Sequence, residues 1–346
     1  MAGFDGYVDS ILRVCRQKGG GGPKYFQTME EFGSYLQSKA GKSCSLELEL
    51  QQEKLGGNAP IFSQTIAALG AQVSCVGAFG APEILPVFRV LQKNCKLYSI
   101  CGPGTCEALE FSDGKVMLAR NEAITVDYTT LTRTCPPFFL LELAEQADLL
   151  AFFNWSELPG STSIWQGYLR DVFPKLSRRK QLFLDLSDCS QRPDSEIREA
   201  AGLIRQFSRY VDTVLSLNQN EAETLAKSLE LPVGDQGELA AALREQLSCD
   251  MVVIHLLDRS LCAHGRGVAY RMGRRIRQPL LSTGGGDNFN AGFAFALLQG
   301  LAPEEALLVG NAVSGFYVSQ GRSPIREELA AWLQEDFPGL GQAIVT

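Results

Sequence analysis

Four apolar runs of strand length, "ADLLAFFNW", "QLFLDLS", "VDTVLSLN" and "DMVVIHLL", recur between residues 147 and 257. Between them lie segments of helical period near 161–176, 193–209, 219–229 and 236–247. Strands that are apolar on both sides need cover on both faces, and alternation with helices supplies it. The pattern predicts a mostly parallel sheet between two helical layers. "AQVSCVGAFG" at 71–80 reads as one more buried strand, after a helix in "APIFSQTIAALG" that Gly70 stops. The tail reads as helices over 288–300, 303–319 and 325–334.

Other segments break this rhythm. "GFDGYVDSILRV" near the start reads as a strand interrupted by a turn, and "QKGGGGPK" (Gln17–Lys24) as a flexible loop. "SLELELQ" alternates strictly, with Leu46, Leu48 and Leu50 on one face and Glu47, Glu49 and Glu53 assigned to the other. "CEALEFSDGKVMLARN" reads as a hairpin turning at Asp113-Gly114. Half-exposed strands of this kind suit a small sheet projecting from the core, with its leucine face covered by closure over a ligand, by a second copy, or by packing onto the chain's own core.

Composition excludes several classes. The net charge is -7 and the pI about 5.1, which argues against nucleic acid or an anionic membrane as partner. No apolar run reaches the roughly 18 residues of a membrane span, and the first residues lack a secretory leader pattern. Ten cysteines form no C-x-x-C pair, and His255 and His264 are the only histidines, so no zinc site is expected. The cysteines read as free core thiols of a reducing, cytoplasmic protein. Asn154-Trp155-Ser156 matches a glycosylation pattern that such a setting leaves unused.

"LLSTGGGDNFNAGFAFALLQG" carries the chemistry. Gly284, Gly285 and Gly286 feed a helix whose side chains are apolar nearly all round. Such a helix start offers unpaired N–H groups to an anion, most naturally a phosphate. Asp287 at its mouth would repel a phosphate if it only bound one; a carboxylate there suits a base for a neighbouring hydroxyl. A simple helix cap is the alternative reading of the same residues.

"STGGGDNFNAG" resembles the C-terminal signature of the ribokinase/PfkB sugar kinases, T-G-A-G-D-x-F-x-x-G. "GGNAPIFSQTIAALGAQVSCVGAFG" (56–80) is similar to their N-terminal glycine region, Asp9 falls where they keep a sugar-binding aspartate, and "LNQNEAETLA" contains N-x-x-E as Asn218 and Glu221. The pieces occur in the family's order across nearly the whole chain. The resemblance implies a three-layer α/β/α ribokinase-like core with a mostly parallel sheet and a small β-sheet lid. Its approximate division is core at 1–10, 55–104 and 121–346 and lid at 11–54 and 105–120.

The resemblance further implies transfer of the γ-phosphate of ATP to a hydroxyl of a sugar or sugar-like substrate. Asp287 would be the base and Gly284–Gly286 the anion hole. Asp9, Gly56, Gly57 and Asn58 would face the sugar. Asn218 and Glu221 would organise Mg2+ and phosphate, Glu221 through water; a plain capping box is the other reading of that pair. His255 and Asn311 would lie near the nucleotide, and a homodimer through the lid is expected. Three departures stand out. Leu281 occupies the position of a common aspartate, so potassium activation is not expected. "HLLDRS" replaces T-x-G-x-x-G, with His255 for the threonine and Leu257 and Ser260 for the glycines. "DLSDCSQR" is only loosely similar to the D-x-N-x-R of some hexose-type members, through Asp185. A nucleoside kinase and a catalytically weakened binding protein on the same fold stay open.

Overall fold

The computed structural model describes residues 1–17, 22–120, 124–276, 279–281 and 283–345, so residues 18–21 of the Gln17–Lys24 loop lie outside the described residues. In chain order the strands are β1 (Ala2–Gly3), β2 (Tyr7–Gln17), β3 (Lys24–Tyr25), β4 (Glu47–Gly56), β5 (Val73–Gly77), β6 (Cys95–Ser99), β7 (Gly104–Phe111), β8 (Gly114–Arg120), β9 (Leu149–Phe152), β10 (Gln181–Asp185), β11 (Asp212–Asn218), β12 (Met251–His255), β13 (Arg259–His264) and β14 (Gly267–Met272). They form two sheets. The larger runs β14-β13-β12-β11-β10-β9-β1-β5-β6, parallel from β12 to β6 and antiparallel at the β12-β13-β14 end.

Alternate residues of the central strands enter opposite cores. Leu182 and Leu184 of β10 pack with Ile164, Trp165, Phe207 and Leu243 from helices on one face. Phe183 between them packs with Phe62, Phe289 and Phe293 on the other. This is the covered sheet that the unbroken apolar runs demanded. Helices Ser161–Asp171, Asp194–Phe207, Gln219–Ser228 and Gln236–Leu247 lie on the first face; Asn58–Ala68, Gly285–Leu298, Pro303–Gln320 and Arg326–Gln334 lie on the second.

The smaller sheet is built on β2, which pairs antiparallel with β4 on one edge and with β7 (parallel) and β3 (antiparallel) on the other; β8 closes the β7 hairpin. Its two faces differ from the sequence-based expectation. Ladder partners share a face, so Leu48 and Leu50 lie with Val14 and Leu12, against which Phe26 and Phe32 pack. Asp9, Ile11 and Lys54 instead line a cleft of about 690 Å³ between the small sheet and the core. The leucines therefore turn away from the cleft, and Leu48 and Leu50 stay 40% and 53% exposed. Glu53 departs from the expected alternation: a bulge between its pairing with Ser10 and that of Leu50 with Leu12 puts it in step with the leucines, yet nearer the core it lines the cleft with Lys54.

Several elements escaped the sequence reading. The helix Met29–Ser38 is one, although Thr28 takes the Glu31 N–H as a cap at 3.0 Å and the T-x-x-E spacing was a usable signal. "HLLDRS" is a hairpin tip: His255 pairs with Ser260, the Leu256 N–H donates to the Arg259 carbonyl, and Leu257 is fully exposed. All ten cysteines are free and nine are buried, with Cys44 at the surface. Among the described residues no helix is long and apolar enough to cross a membrane.

Candidate functional site

The carboxyl ends of the parallel strands converge on one rim, where open α/β sheets place their ligands. Asp185 ends β10, Asn218 ends β11 and His255 ends β12; Asp5 and Asn154 follow β1 and β9 by two residues. Two glycine turns face this rim from the helices of the second layer.

The first turn is Gly56–Asn58. A Cβ on Gly56 would overlap the Asp9 carboxylate. Gly57 has φ +94°, and a Cβ there would approach Asp5 Oδ2 to 2.8 Å. Asp5 occupies the helix start: its carboxylate accepts the N–H groups of Asn58 (2.7 Å) and Ala59 (2.8 Å), and also Asn154 Nδ2 (2.8 Å). This buried carboxylate was not singled out by the sequence reading. Asn154, held in a left-handed conformation with its amide spent on Asp5, is buried and so closed to glycosylation. Asp5→Ala would leave three buried donors without an acceptor. It is expected to cost about 3 kcal/mol or more of stability, measured by urea denaturation.

The second turn is Gly284–Gly286. Gly284 takes φ +89°, and the Asn288 N–H is the first to bond back, to the Gly284 carbonyl at 3.0 Å. No side chain caps this helix start. Where Asp5 fills the corresponding place on the other helix, here no side chain accepts the first-turn N–H groups. The turn itself is pinned: Asn288 Nδ2 donates to the Gly284 carbonyl, its Oδ1 accepts from Thr65 and Ser323, and Tyr317 Oη donates to the Thr283 carbonyl.

Asp287 stands in the first helical turn. Burial holds its carboxyl well above the ordinary carboxylate range, and the charges of Asp185, Asp5 and Asp9 push it further. Asp9 is raised by burial too, with Lys54 and Lys115 opposing the shift. Asn218 and Glu221 form the capping box: Glu221 accepts the Asn218 N–H (2.9 Å) and Nδ2 (2.7 Å), while Asn218 Oδ1 accepts the Glu221 N–H (2.9 Å). Burial, then the neighbouring Asp185, lift Glu221 to about 8, with Asp188 and Asp287 adding to it.

His255 packs against Phe289, and its Cε1 would lie 3.3 Å from a Cβ on Gly286. Burial lowers its pKa to about 4, so it is neutral at physiological pH and offers a phosphate no full positive charge. Asn311 sits farther along the helix Pro303–Gln320, with Nδ2 donating to the Arg271 carbonyl at 3.3 Å, beside Gly273. Ser314 follows it by one turn and faces Gly285. Leu281 and Thr283 line the cleft with Asp9 and Tyr317. The structure thus gathers Asp9, Gly56, Gly57, Asn58, Glu221, His255 and the Gly284–Asp287 turn around one rim.

Solved structures with this architecture include an adenosine kinase from Sinorhizobium meliloti, at 17% identity with a TM-score of 0.69. A ribokinase from Thermotoga maritima is 18% identical with a TM-score of 0.62. Each alignment covers 96% of this chain and 98% of the other, and the fold is therefore ribokinase-like. The chain belongs to the prokaryotic ketohexokinase family, whose model matches residues 1–336. A ketohexokinase from Haloferax volcanii is 28% identical over 337 residues, 96% of this chain and 90% of that protein. The protein is a carbohydrate kinase that phosphorylates a sugar at the expense of ATP.

Proposed function

We propose that the protein transfers the γ-phosphate of ATP to a hydroxyl of a ketohexose, with Asp287 as base. The observation that carries this reading is a carboxyl of raised proton affinity in the first turn of a helix that no side chain caps. The acceptor hydroxyl gives its proton to Asp287 as its oxygen attacks the γ-phosphorus, and ADP leaves. The N–H groups of the Gly284–Gly286 turn hold the transferring phosphoryl oxygens, whose charge is spread in the transition state. Asp9 and the Gly56–Asn58 turn orient the sugar, and the small sheet that carries Asp9 acts as the lid. His255 and Asn311 flank the nucleotide side, where His255 contributes one N–H at most.

The residues present fit Mg2+ only at a distance. Among the described residues no three ligating side chains converge, and both Glu221 oxygens are engaged by Asn218. Burial is the largest cause that raises the Glu221, Asp185 and Asp287 carboxyls, and a neighbouring carboxylate adds to each: Asp185 for Glu221 and Asp287, Asp5 for Asp185. Glu221 and Asn218 would hold the ion's water shell, and the bound ion would neutralise phosphate charge.

The ketohexose rests on the name of the Haloferax volcanii relative. A panel of ketohexoses, aldohexoses, pentoses and nucleosides with MgATP tests it. A ketohexose used at a kcat/KM at least about tenfold above every other acceptor supports the reading. Preference for a nucleoside would contradict it.

The leucine face of the small sheet supports a homodimer. Leu48, Leu50 and Leu118 share that face through the pairings Leu48–Val14, Leu50–Leu12 and Leu118–Glu107, and Leu118 is 47% exposed. Light scattering at micromolar concentration is expected to give a dimer that Leu48→Glu converts to monomer. A wild-type monomer would exclude it.

A further inference from the structure

We propose that Asp185 is a positioning residue that locks the Gly56–Asn58 turn to the helix carrying Asp287. Its two oxygens are committed to different elements. Oδ1 accepts the Ser187 N–H at 2.8 Å, and Ser187 Oγ in turn accepts from Asn58 Nδ2 at 2.9 Å. Oδ2 accepts from Asn290 Nδ2 at 2.6 Å, one turn beyond Asp287 on the same helix. Asn290 Oδ1 accepts from Ser216 Oγ at 2.6 Å, on β11, two residues before Asn218. One carboxylate therefore ties together the two glycine-turn helices and the strand that ends in Asn218.

The arm of the link that reaches the base helix is stiff because it is dry, while Ser187 and Asn58 on the other arm are half-buried. Asp185 is 6% exposed, and Asn290 and Ser216 are fully buried. Breaking the Asp185–Asn290 or Asn290–Ser216 bond would strand a buried polar group, and bonds to an ionised carboxylate are the stronger kind. Ser187 sits in a left-handed conformation (φ 59°), which the surrounding structure must hold in place. Besides Asp287, the helix Gly285–Leu298 carries two polar side chains, Asn288 and Asn290, and both are accounted for by this architecture: Asn288 pins the glycine turn and Asn290 reaches Asp185. With both oxygens taken and little exposed surface, Asp185 acts on the reaction through Asn58 and the base helix and not by touching the sugar.

The inference rests on the reading of Asp287 as base, and the experiment separates the two. Full-length wild type, Asp185→Ala, Asp185→Asn, Asn290→Ala and the double alanine variant are assayed with D-fructose and MgATP. Asp185→Ala and Asn290→Ala are each expected to lower kcat about 10²-fold, as small misplacements of a base do, with both KM values within about threefold of wild type. The double variant should be no worse than the poorer single one, because both break one link. Asp185→Asn should recover to within about fivefold of wild type. The Asn290 amide can flip, accepting from the new amide while donating to Ser216 Oγ, so the link survives without the charge.

Unchanged kcat in Asp185→Ala, additive losses in the double variant, or an Asp185→Asn as impaired as the alanine would each overturn the proposal. Hydrogen exchange reads the link without turnover. Faster exchange of the Asn288–Ala291 and Asn58–Phe62 amides in Asp185→Ala, reversed in Asp185→Asn, is expected. Unchanged exchange overturns the link even if fructose proves not to be a substrate, an outcome that would count against the ketohexose reading alone. Should Asp185→Ala fail to fold, the comparison of Asn290→Ala with Asp185→Asn carries the same decision.

Discussion

Asp287→Asn is expected to lose about 10²–10⁴-fold in kcat while keeping the fold and the affinity for nucleotide. Asparagine matches the carboxylate in shape but accepts no proton. Asp287 takes part in none of the pinning bonds of its turn, which come from Asn288 and Tyr317, so the substitution should leave that turn in place. The same residue sets an expected pH dependence. The base must be ionised, and its proton affinity is raised by burial and by Asp185, Asp5 and Asp9. Wild-type kcat/KM, which reports the unliganded enzyme, should therefore fall as pH drops through a value above the ordinary carboxylate range of about 4. The residual rate of Asp287→Asn should lack that acid limb. A variant with near wild-type kcat would remove Asp287 from the chemistry.

Gly285→Val is expected to lower kcat by about 10²–10³-fold, the loss typical of a spoiled oxyanion donor. Its melting temperature should move by only a few degrees. The Cβ itself fits: at Gly285 it would meet Val318 Cγ2 at 3.5 Å and Ser314 Oγ at 3.6 Å, ordinary contact distances. The branched side chain would crowd the N–H groups that the phosphoryl oxygens must approach. Gly284 is the opposite case. Its φ of +89° and a Cβ 2.8 Å from Tyr317 Oη make Gly284→Val a folding defect first. Kinetics and thermal unfolding on both variants separate the roles. Full activity in a folded Gly285→Val would exclude the anion hole, and unfolding of that variant would make the turn purely structural.

The parallel core was legible because buried strands and helices write different periods, and "QLFLDLS" and "DMVVIHLL" leave little else to fold into. Both glycine turns were legible for a related reason: positive φ at Gly57 and Gly284 leaves a residue-type mark. Asp5 was not legible, since a lone aspartate in "GFDGYVD" gives no sign that three donors converge on it from residues 53 to 149 positions away. The orientation of Leu48 and Leu50 was misjudged for a physical reason. Alternation fixes which residues share a face, yet only the pairing with β2 decides which face meets the cleft. Asn218 and Glu221 show a further limit. One spacing serves a capping box and a magnesium relay, and the observed box satisfies the first without testing the second.

Phosphorus NMR of the purified protein with MgATP and D-fructose tests the central claim most directly. The account predicts that the γ-phosphate signal of ATP gives way, in equal amounts, to ADP and one sugar phosphate ester, and that Asp287→Asn forms neither at a comparable rate. ATP turnover to inorganic phosphate without an ester, or an ester formed equally well by Asp287→Asn, would contradict it.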